Sequence, residues 1–564
     1  MSAGISFGEY LVRFLKAIGV KRVYGIIGTS VVDFVDSLYE YKNEIRYVSV
    51  RHEQVAVAMA DAEYRTTGNL AAALVHAGPG FLNSVINLAV AYKDRVPLIL
   101  ISGGVKRRLY GTDSWLEVDQ QAIAKPITKA SIRITSLDGV GGTLRNLVGQ
   151  ALSPPKGPVL LEVPEDLWTK TGDFEPLPGG LEELVPEPKK PSKDSVERII
   201  QAMMRADKPV IYATGECLGD DITPILDEIA ERLGAYVITS GNARGACNEF
   251  NPRCLGRVGF GGGSYPADKA LEIADVMLVL GDELDDIATY AYTLYPEGDL
   301  IIVSENPVVE KRPIYISHLV RASPYYTALM MLEELRKGNV RKENRDWDNE
   351  IARYKMEWDT MLNEALSRKY TEYVNPSLFF KRLSEKLKPD DIITGGQGTH
   401  IVYTYDFIKI SKPGRFLAAT NLGAMGYAFP AALGAKIANP ENEVIAVVGD
   451  GEFMMTVQDL ETAVRENIPV KVVVVNDNSY RVLYLRQTIQ KRGRVYGTLH
   501  TNPSFEALAR AFGAEGTTVS SNAEIDDAIE EMLESNKPYV VDLRISREDL
   551  PPLNLEGSLR MSGG

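Results

Sequence analysis

At 564 residues the chain exceeds what one hydrophobic core organises, so several domains are expected. Its 45% hydrophobic and 24% charged residues are those of a globular protein and argue against disorder. A net charge of −14 argues against a nucleic-acid partner, which needs a basic face, and no apolar run reaches the roughly 18 residues of a membrane span.

The first residues carry no basic segment with an apolar core, so no secretion signal is expected. Cys217, Cys247 and Cys254 are odd in number and form no C-x-x-C pair. That argues against a disulfide framework or a zinc site and fits a reducing, cytoplasmic setting.

Ser6 and Glu9 read as a capping box opening a helix with Tyr10, Leu11, Phe14, Leu15 and Ile18 on one face. Residues 23–27, 47–50, 71–75 and 98–102 then read as buried parallel strands with helices between them. Arg51-His52-Glu53-Gln54 follows the second strand and opens an alanine-rich helix closing at Gly68. The Pro-rich stretch 176–191 is a linker. Strands at 210–213, 236–239, 276–280 and 300–303 mark a second block, and the charged helical stretch 341–369 a second connector. A third block has strands at 391–394, 444–448 and 471–475. This alternation is that of α/β folding. Three doubly wound parallel-sheet domains are expected, at 1–175, 192–338 and 370–550, with a polar tail at 551–564 that is either a lid ordered by substrate or a frayed end.

The third block carries the densest chemistry. The strand at 444–448 runs into Gly449-Asp450-Gly451, which places Asp450 at the carboxyl end of a strand, where open α/β sheets bind ligands. Thr456 and Asp459 are expected to cap the next helix, and the following strand ends at Asn476-Asp477-Asn478. Neighbouring strand ends would converge oxygen ligands on one ion. Mg²⁺, which takes about six oxygens and shares them with phosphates and water, suits them. Singly each piece is an ordinary turn. Together, one helix apart, they read as a metal site.

This pairing, with Asp477 27 positions after Asp450, resembles the diphosphate motif of thiamine-diphosphate enzymes. The resemblance implies Asp450, Asp477 and the Ser479 carbonyl as Mg²⁺ ligands, with Gly449, Gly451 and Glu452 beside the diphosphate. Asp477 stands where the family usually has Asn. The resemblance also implies that Glu53 contacts N1′ of the aminopyrimidine and favours its imino form; the plainer reading is an acid at a helix N-terminus. Gly78-Pro79-Gly80 is similar to the family's G-P-G turn, Gly78 and Gly80 letting the backbone approach the pyrimidine. The run from Gly423 to Ala431 is similar to its G-x-M-G-x-x-x-P-A element, with Gly423 and Met425 against the ring. Gln397, Gly398, Thr399 and His400, after a strand, are candidate diphosphate donors. Gly28 is a candidate N–H donor to the reacting carbonyl, and His76 a candidate proton shuttle. Trp115 and Glu117 occupy an aromatic-x-Glu substrate element in which Leu116 replaces the family's Gln. His318 and His500 fall in no motif.

In its order of pyrimidine, middle and diphosphate domains the whole chain resembles acetolactate synthases, 2-hydroxyacyl-CoA lyases, oxalyl-CoA decarboxylases and 2-oxoacid decarboxylases. That implies an enzyme with thiamine diphosphate and Mg²⁺, acting on a 2-oxo acid such as pyruvate or on an acyl-CoA. It also implies a homodimer or homotetramer with the cofactor between two copies. For the Gly-rich loop 256–264 the resemblance leaves FAD, ADP or a plain loop open. A non-catalytic cofactor-binding homologue is the alternative from another class, against which Glu53 and Asp450 stand.

Overall fold

The computed structural model describes residues 4–219 and 221–552, so the expected tail lies outside the described residues from position 553 onward. The strands, in chain order, are β1 Arg22–Gly25, β2 Arg46–Ser49, β3 Ala72–Val75, β4 Ile99–Gly104, β5 Ala130–Arg133 and β6 Val159–Pro164; then β7 Pro209–Ala213, β8 Tyr236–Thr239, β9 Cys254–Arg257, β10 Val276–Leu280, β11 Asp299–Val303 and β12 His318–Val320; then β13 Ile392–Gly395, β14 Phe416–Ala418, β15 Val444–Gly449, β16 Lys471–Asn476, β17 Glu515–Val519 and β18 Tyr539–Arg544. They form three six-stranded sheets in the orders β2-β1-β3-β4-β6-β5, β12-β11-β10-β7-β8-β9 and β14-β13-β15-β16-β18-β17, with these strands paired in parallel throughout. Helices cover both faces, which is why the central strands are near-continuous Val, Ile and Leu. The fold is α/β with three doubly wound sheets.

Each sheet reverses its strand order near its middle: between β1 and β3, between β7 and β10, and between β13 and β15. Connections diverge there and leave a crevice at the carboxyl ends of the strands.

The first and third sheets share one core through the helices Glu53–Thr67 and Ala428–Ala438. Both are alanine-rich and buried almost all round. At their crossing a Cβ on Gly434 would lie 2.4 Å from the Met59 carbonyl oxygen, so the glycine permits backbone-to-backbone approach.

Three local expectations need correction. Cys247 and Cys254 are joined in a disulfide, because the turn before β9 brings their Cα atoms to 5.8 Å; cysteine count and spacing do not report that proximity. Thr456 caps nothing with its side chain, and its hydroxyl is buried without a hydrogen bond. Asp459 instead accepts the Arg51 N–H at 2.9 Å and the Thr462 hydroxyl at 2.8 Å. The Ser6–Glu9 box is half formed: Ser6 Oγ accepts the Glu9 N–H, while the Glu9 carboxylate turns to Arg13 and Tyr41.

Candidate functional site

At the reversal point of the third sheet, β15 ends in Gly449 and the chain turns directly into a short helix led by Asp450. Asp450 is 2% exposed. One carboxylate oxygen accepts the Gly451 N–H at 2.8 Å; the other accepts the Asn478 N–H at 2.8 Å and Asn502 Nδ2 at 2.7 Å, with His500 Nε2 at 3.2 Å. β16, paired with β15, ends one residue before Asp477, whose Oδ1 accepts the Ser479 hydroxyl at 2.8 Å. Its Oδ2 is buried without a hydrogen bond, with Arg481 Nε 3.4 Å away. Burial raises the Asp477 pKa, and Asp450 adds to the rise; the Arg481 guanidinium opposes both.

Asp450, Asp477 and Ser479 line one cavity with Gly449, Gly451 and Met425. Among the described residues no group of three His, Cys, Asp or Glu side chains gathers as a self-contained metal site. Two carboxylates, one with an oxygen that accepts no hydrogen bond and faces Arg481 at 3.4 Å, beside a cavity form a donor set that a hard cation completes with phosphate oxygens, and Mg²⁺ fits it.

The loop after β13 adds to the same cavity through Gln397, Gly398, Thr399 and His400. The N–H groups of Gly396 and Gln397 are already taken, by the Val447 carbonyl and the Glu452 carboxylate. Phosphate donors from this loop are therefore sought at Gly398 and Thr399, which precede the helix His400–Phe407. Glu452 is 1% exposed and ties the site's loops together: it accepts the N–H groups of Gln397 at 2.8 Å and Gly426 at 3.0 Å, and lies 3.3 Å from His400 Nε2. Gly423, at φ 69°, lies in the turn ahead of the helix that begins at Ala428.

The reversal point of the first sheet gathers the other expected residues. Glu53 is the first residue of its helix and 8% exposed, and its Oε2 accepts Asn83 Nδ2 at 3.0 Å. Gly80 approaches closely enough that a Cβ there would sit 3.2 Å from Glu53 Oε1. His76, after β3, shares a 2.7 Å hydrogen bond between Nδ1 and Ser30 Oγ. A Cβ on Gly28 would strike its ring at 2.4 Å. Desolvation lowers the His76 pKa, with Glu53 and Glu165 pulling the other way, so the ring is neutral near pH 7. Gly78, at φ 66°, sits under the Leu116 carbonyl, which brings the loop of Trp115 and Glu117 beside this crevice. Trp115 is 80% exposed. The Glu117 carboxylate accepts the N–H groups of Gly111 and Ser114 and holds its own loop.

The structure thus brings the expected residues together as two half-sites. The cavity around Asp450 takes its lining from the third sheet's loops and helices, without Glu53, His76 or Gly28. Sequence reasoning missed Arg481, His500 and Asn502. Arg481 stands four residues after Asp477, at the start of the helix Arg481–Gln490, a spacing the sequence does print. His500 and Asn502 arrive by a return of the chain, in which the Tyr480 N–H meets the Thr498 carbonyl and the His500 N–H that of Asn478; no local pattern announces it.

Models of three thiamine pyrophosphate enzyme domains match the chain: the N-terminal TPP binding domain at 5–123, the central domain at 196–318 and the C-terminal TPP binding domain at 396–543. The acetolactate synthase isozyme 3 large subunit of Escherichia coli (strain K12) is 30% identical over 573 residues, covering 98% of this chain and 97% of its own. The isozyme 2 large subunit of the same organism is 28% identical, covering 97% and 96%. The acetolactate synthase of Mycobacterium bovis is 31% identical, covering 96% and 88%.

Proposed function

Because the chain belongs to the thiamine pyrophosphate enzyme family, we propose that it is a decarboxylase and carboligase of acetolactate-synthase-like type. It would take a small 2-oxo acid such as pyruvate, release CO₂ and join the remaining fragment to a second oxo compound. The observation that carries this reading is the likeness to acetolactate synthase large subunits along nearly the whole chain.

Thiamine diphosphate, when bound, would supply a cationic ring that delocalises the electron pair left when CO₂ departs. In this reading Asp450, Asp477 and the Ser479 carbonyl would hold Mg²⁺, while backbone at Gly398 and Thr399 would hold the phosphates, with Gly451 lining the cavity beside them. Gly423 and Met425 support the ring system. Glu53 hydrogen-bonds the aminopyrimidine and sets its protonation; Gly28 and neutral His76 face the reacting carbonyl; Trp115 and Glu117 border the substrate.

Glu53 belongs to a different crevice from Asp450, and the helix Pro79–Lys93, which carries its partner Asn83, leaves Leu82 and Ile86 exposed. Around the other cavity Met454, Val482 and Leu483 are exposed too. These apolar faces support a homodimer, alone or as half of a tetramer, in which the first unit of one copy covers the third unit of the other.

The test is a substrate screen of the purified protein with thiamine diphosphate and Mg²⁺. Pyruvate is expected to release CO₂ and yield a ligated product. Protection by micromolar CoA with no turnover of any 2-oxo acid would replace this reading by an acyl-CoA lyase or decarboxylase. Cofactor binding without turnover of either class would leave a non-catalytic homologue.

A further inference from the structure

The reversal point of the second sheet is built differently from the other two. Its strands β7 and β10 end in Thr214-Gly215-Glu216 and Gly281-Asp282-Glu283. In an open sheet this is where a nucleotide's phosphates meet backbone amides. Here the chain's own carboxylates have taken those donors. Glu283 Oε2 accepts the Gly215 N–H at 3.1 Å and the Ser240 hydroxyl. Glu216 accepts the Glu305 N–H at 2.9 Å and the Ser304 hydroxyl at 2.6 Å. Asp282 is 1% exposed and receives Arg95 and Asn306.

The Gly-rich loop offers no cradle either. A Cβ on Gly259 would meet the Ile287 carbonyl at 2.5 Å, and one on Gly262 the Tyr405 ring at 2.5 Å; the Gly259 N–H is held by Asp268. At these two glycines the loop packs against protein and leaves no room for a ligand, while Gly261 between them faces open space.

Arg95 comes from the first sheet's unit, from a turn in which it adopts φ 61°. Its neighbour Asp94 accepts Arg65 Nη2, Asn242 Nδ2 and the Asn421 N–H, at 2.8, 3.2 and 2.9 Å. Asn242 and Asn421 also both donate to Glu283, at 3.2 Å. One polar cluster therefore joins all three sheets at the second sheet's crevice.

We infer that the middle domain binds neither FAD nor ADP, and that the carboxylates at its reversal point, with Arg95 and Asp94, instead clasp the three domains together. A nucleotide would bring further negative charge to Glu216, Asp282 and Glu283 and would find Gly215, Ser240, Ser304 and Glu305 already engaged. The inference is independent of the thiamine diphosphate assignment.

Two measurements on the full-length protein test it. Small molecules released by denaturing the purified protein are separated and read by absorbance for flavin and adenine nucleotide, and the native protein is titrated with FAD and ADP in a calorimeter. Less than roughly one bound nucleotide per ten chains and no saturable heat are expected; stoichiometric flavin or adenine nucleotide, or saturable binding of either, would overturn the inference. For the clasp, Arg95→Met is expected to lower the thermal midpoint by about 5 °C or more, because Asp282 is left buried without its cation. Asp282→Asn added to Arg95→Met should recover most of that loss, since the two residues act as a pair. An unchanged midpoint in the single variant, or strictly additive losses in the double, would show that the cluster clasps nothing.

Discussion

Asp477 brings a second negative charge to a strand end that must receive a diphosphate, and Arg481 lies 3.4 Å from it in a nearly closed space. The guanidinium also faces Asp549 at 3.6 Å, so it sits between two carboxylates. The guanidinium offsets part of the charge that Asp477 adds in place of the neutral Asn usual in the family. Arg481→Met should weaken thiamine-diphosphate binding at fixed Mg²⁺ roughly tenfold, about 1.4 kcal/mol, because Asp477 then repels the phosphates. Asp477→Asn alone should leave binding within about tenfold, and the double variant should regain most of what Arg481→Met loses. Fluorescence titration of the four proteins reads this directly; additive losses would separate the two residues. Glu53 is expected to act on chemistry more than on affinity. Glu53→Gln keeps the hydrogen bond to Asn83 but cannot hold the charge, so turnover should fall at least ~100-fold with cofactor affinity nearly unchanged. Slowed exchange of the cofactor's C2 proton for deuterium is the accompanying sign, and wild-type exchange would mean that another group activates the ring.

At the scale of elements, the turn Val457–Asp459 that leads into the helix Leu460–Arg465 and the strand end at Ser49 are tied by Asp459, which accepts the Arg51 N–H across the first and third sheets. Burial lifts the Asp459 pKa to about 6, above the usual ~3.9 of an unfolded chain. A raised carboxyl pKa means that its stabilising, protonated form is complete below about pH 4 and lost as pH rises through about 6. Relative to wild type, Asp459→Asn should therefore gain stability between pH 4 and pH 7, by about 2–3 kcal/mol, seen as a shift in the difference of thermal midpoints. A difference constant with pH would remove Asp459 from that role.

The elements readable in the sequence were those with unbroken apolar runs. β8 and β10 fall on the expected residues, and the helix from Glu53 ends at Gly68 as its alanines and glycine suggest. Several strands that periodicity missed carry buried charge or half-exposed faces, while β14 is apolar but only three residues long. Glu162 interrupts β6 and is engaged by Tyr110, Gln121 and Arg133. Asp542 interrupts β18 and pairs with Asn476 and Arg544. β5 is half-buried along its length. Such residues look like loop until their partners, distant in sequence, are in place. For the same reason Asp450 and Asp477 at one cavity were legible from strand ends and glycines, and Met425 from the family resemblance, while Glu452 as an internal tie, and His500 beside Asp450, were not.

For the whole molecule, the separation of the two half-sites has a consequence for hybrids. Chains carrying Glu53→Gln and chains carrying Asp450→Ala are each expected to be inactive. If the site forms between copies, a mixed dimer holds one doubly damaged site and one intact site, built from the intact first unit of one chain and the intact third unit of the other. Co-expression with random pairing should then restore about a quarter of wild-type activity, half of the dimers being mixed with one good site in two. Activity no higher than that of either variant alone would put Glu53 and Asp450 to work within a single chain.

The central claim is that the third sheet's strand ends hold a diphosphate through a metal, and calorimetric titration of thiamine diphosphate in the presence of Mg²⁺ tests it most directly. The wild-type chain should bind saturably at one site per chain, and the binding should vanish when Mg²⁺ is chelated. Asp450→Ala, whose surrounding strands stay buried and paired, should keep its thermal midpoint within a few degrees and lose measurable binding at the same Mg²⁺ concentration. Unchanged affinity in a folded Asp450→Ala chain would contradict the account.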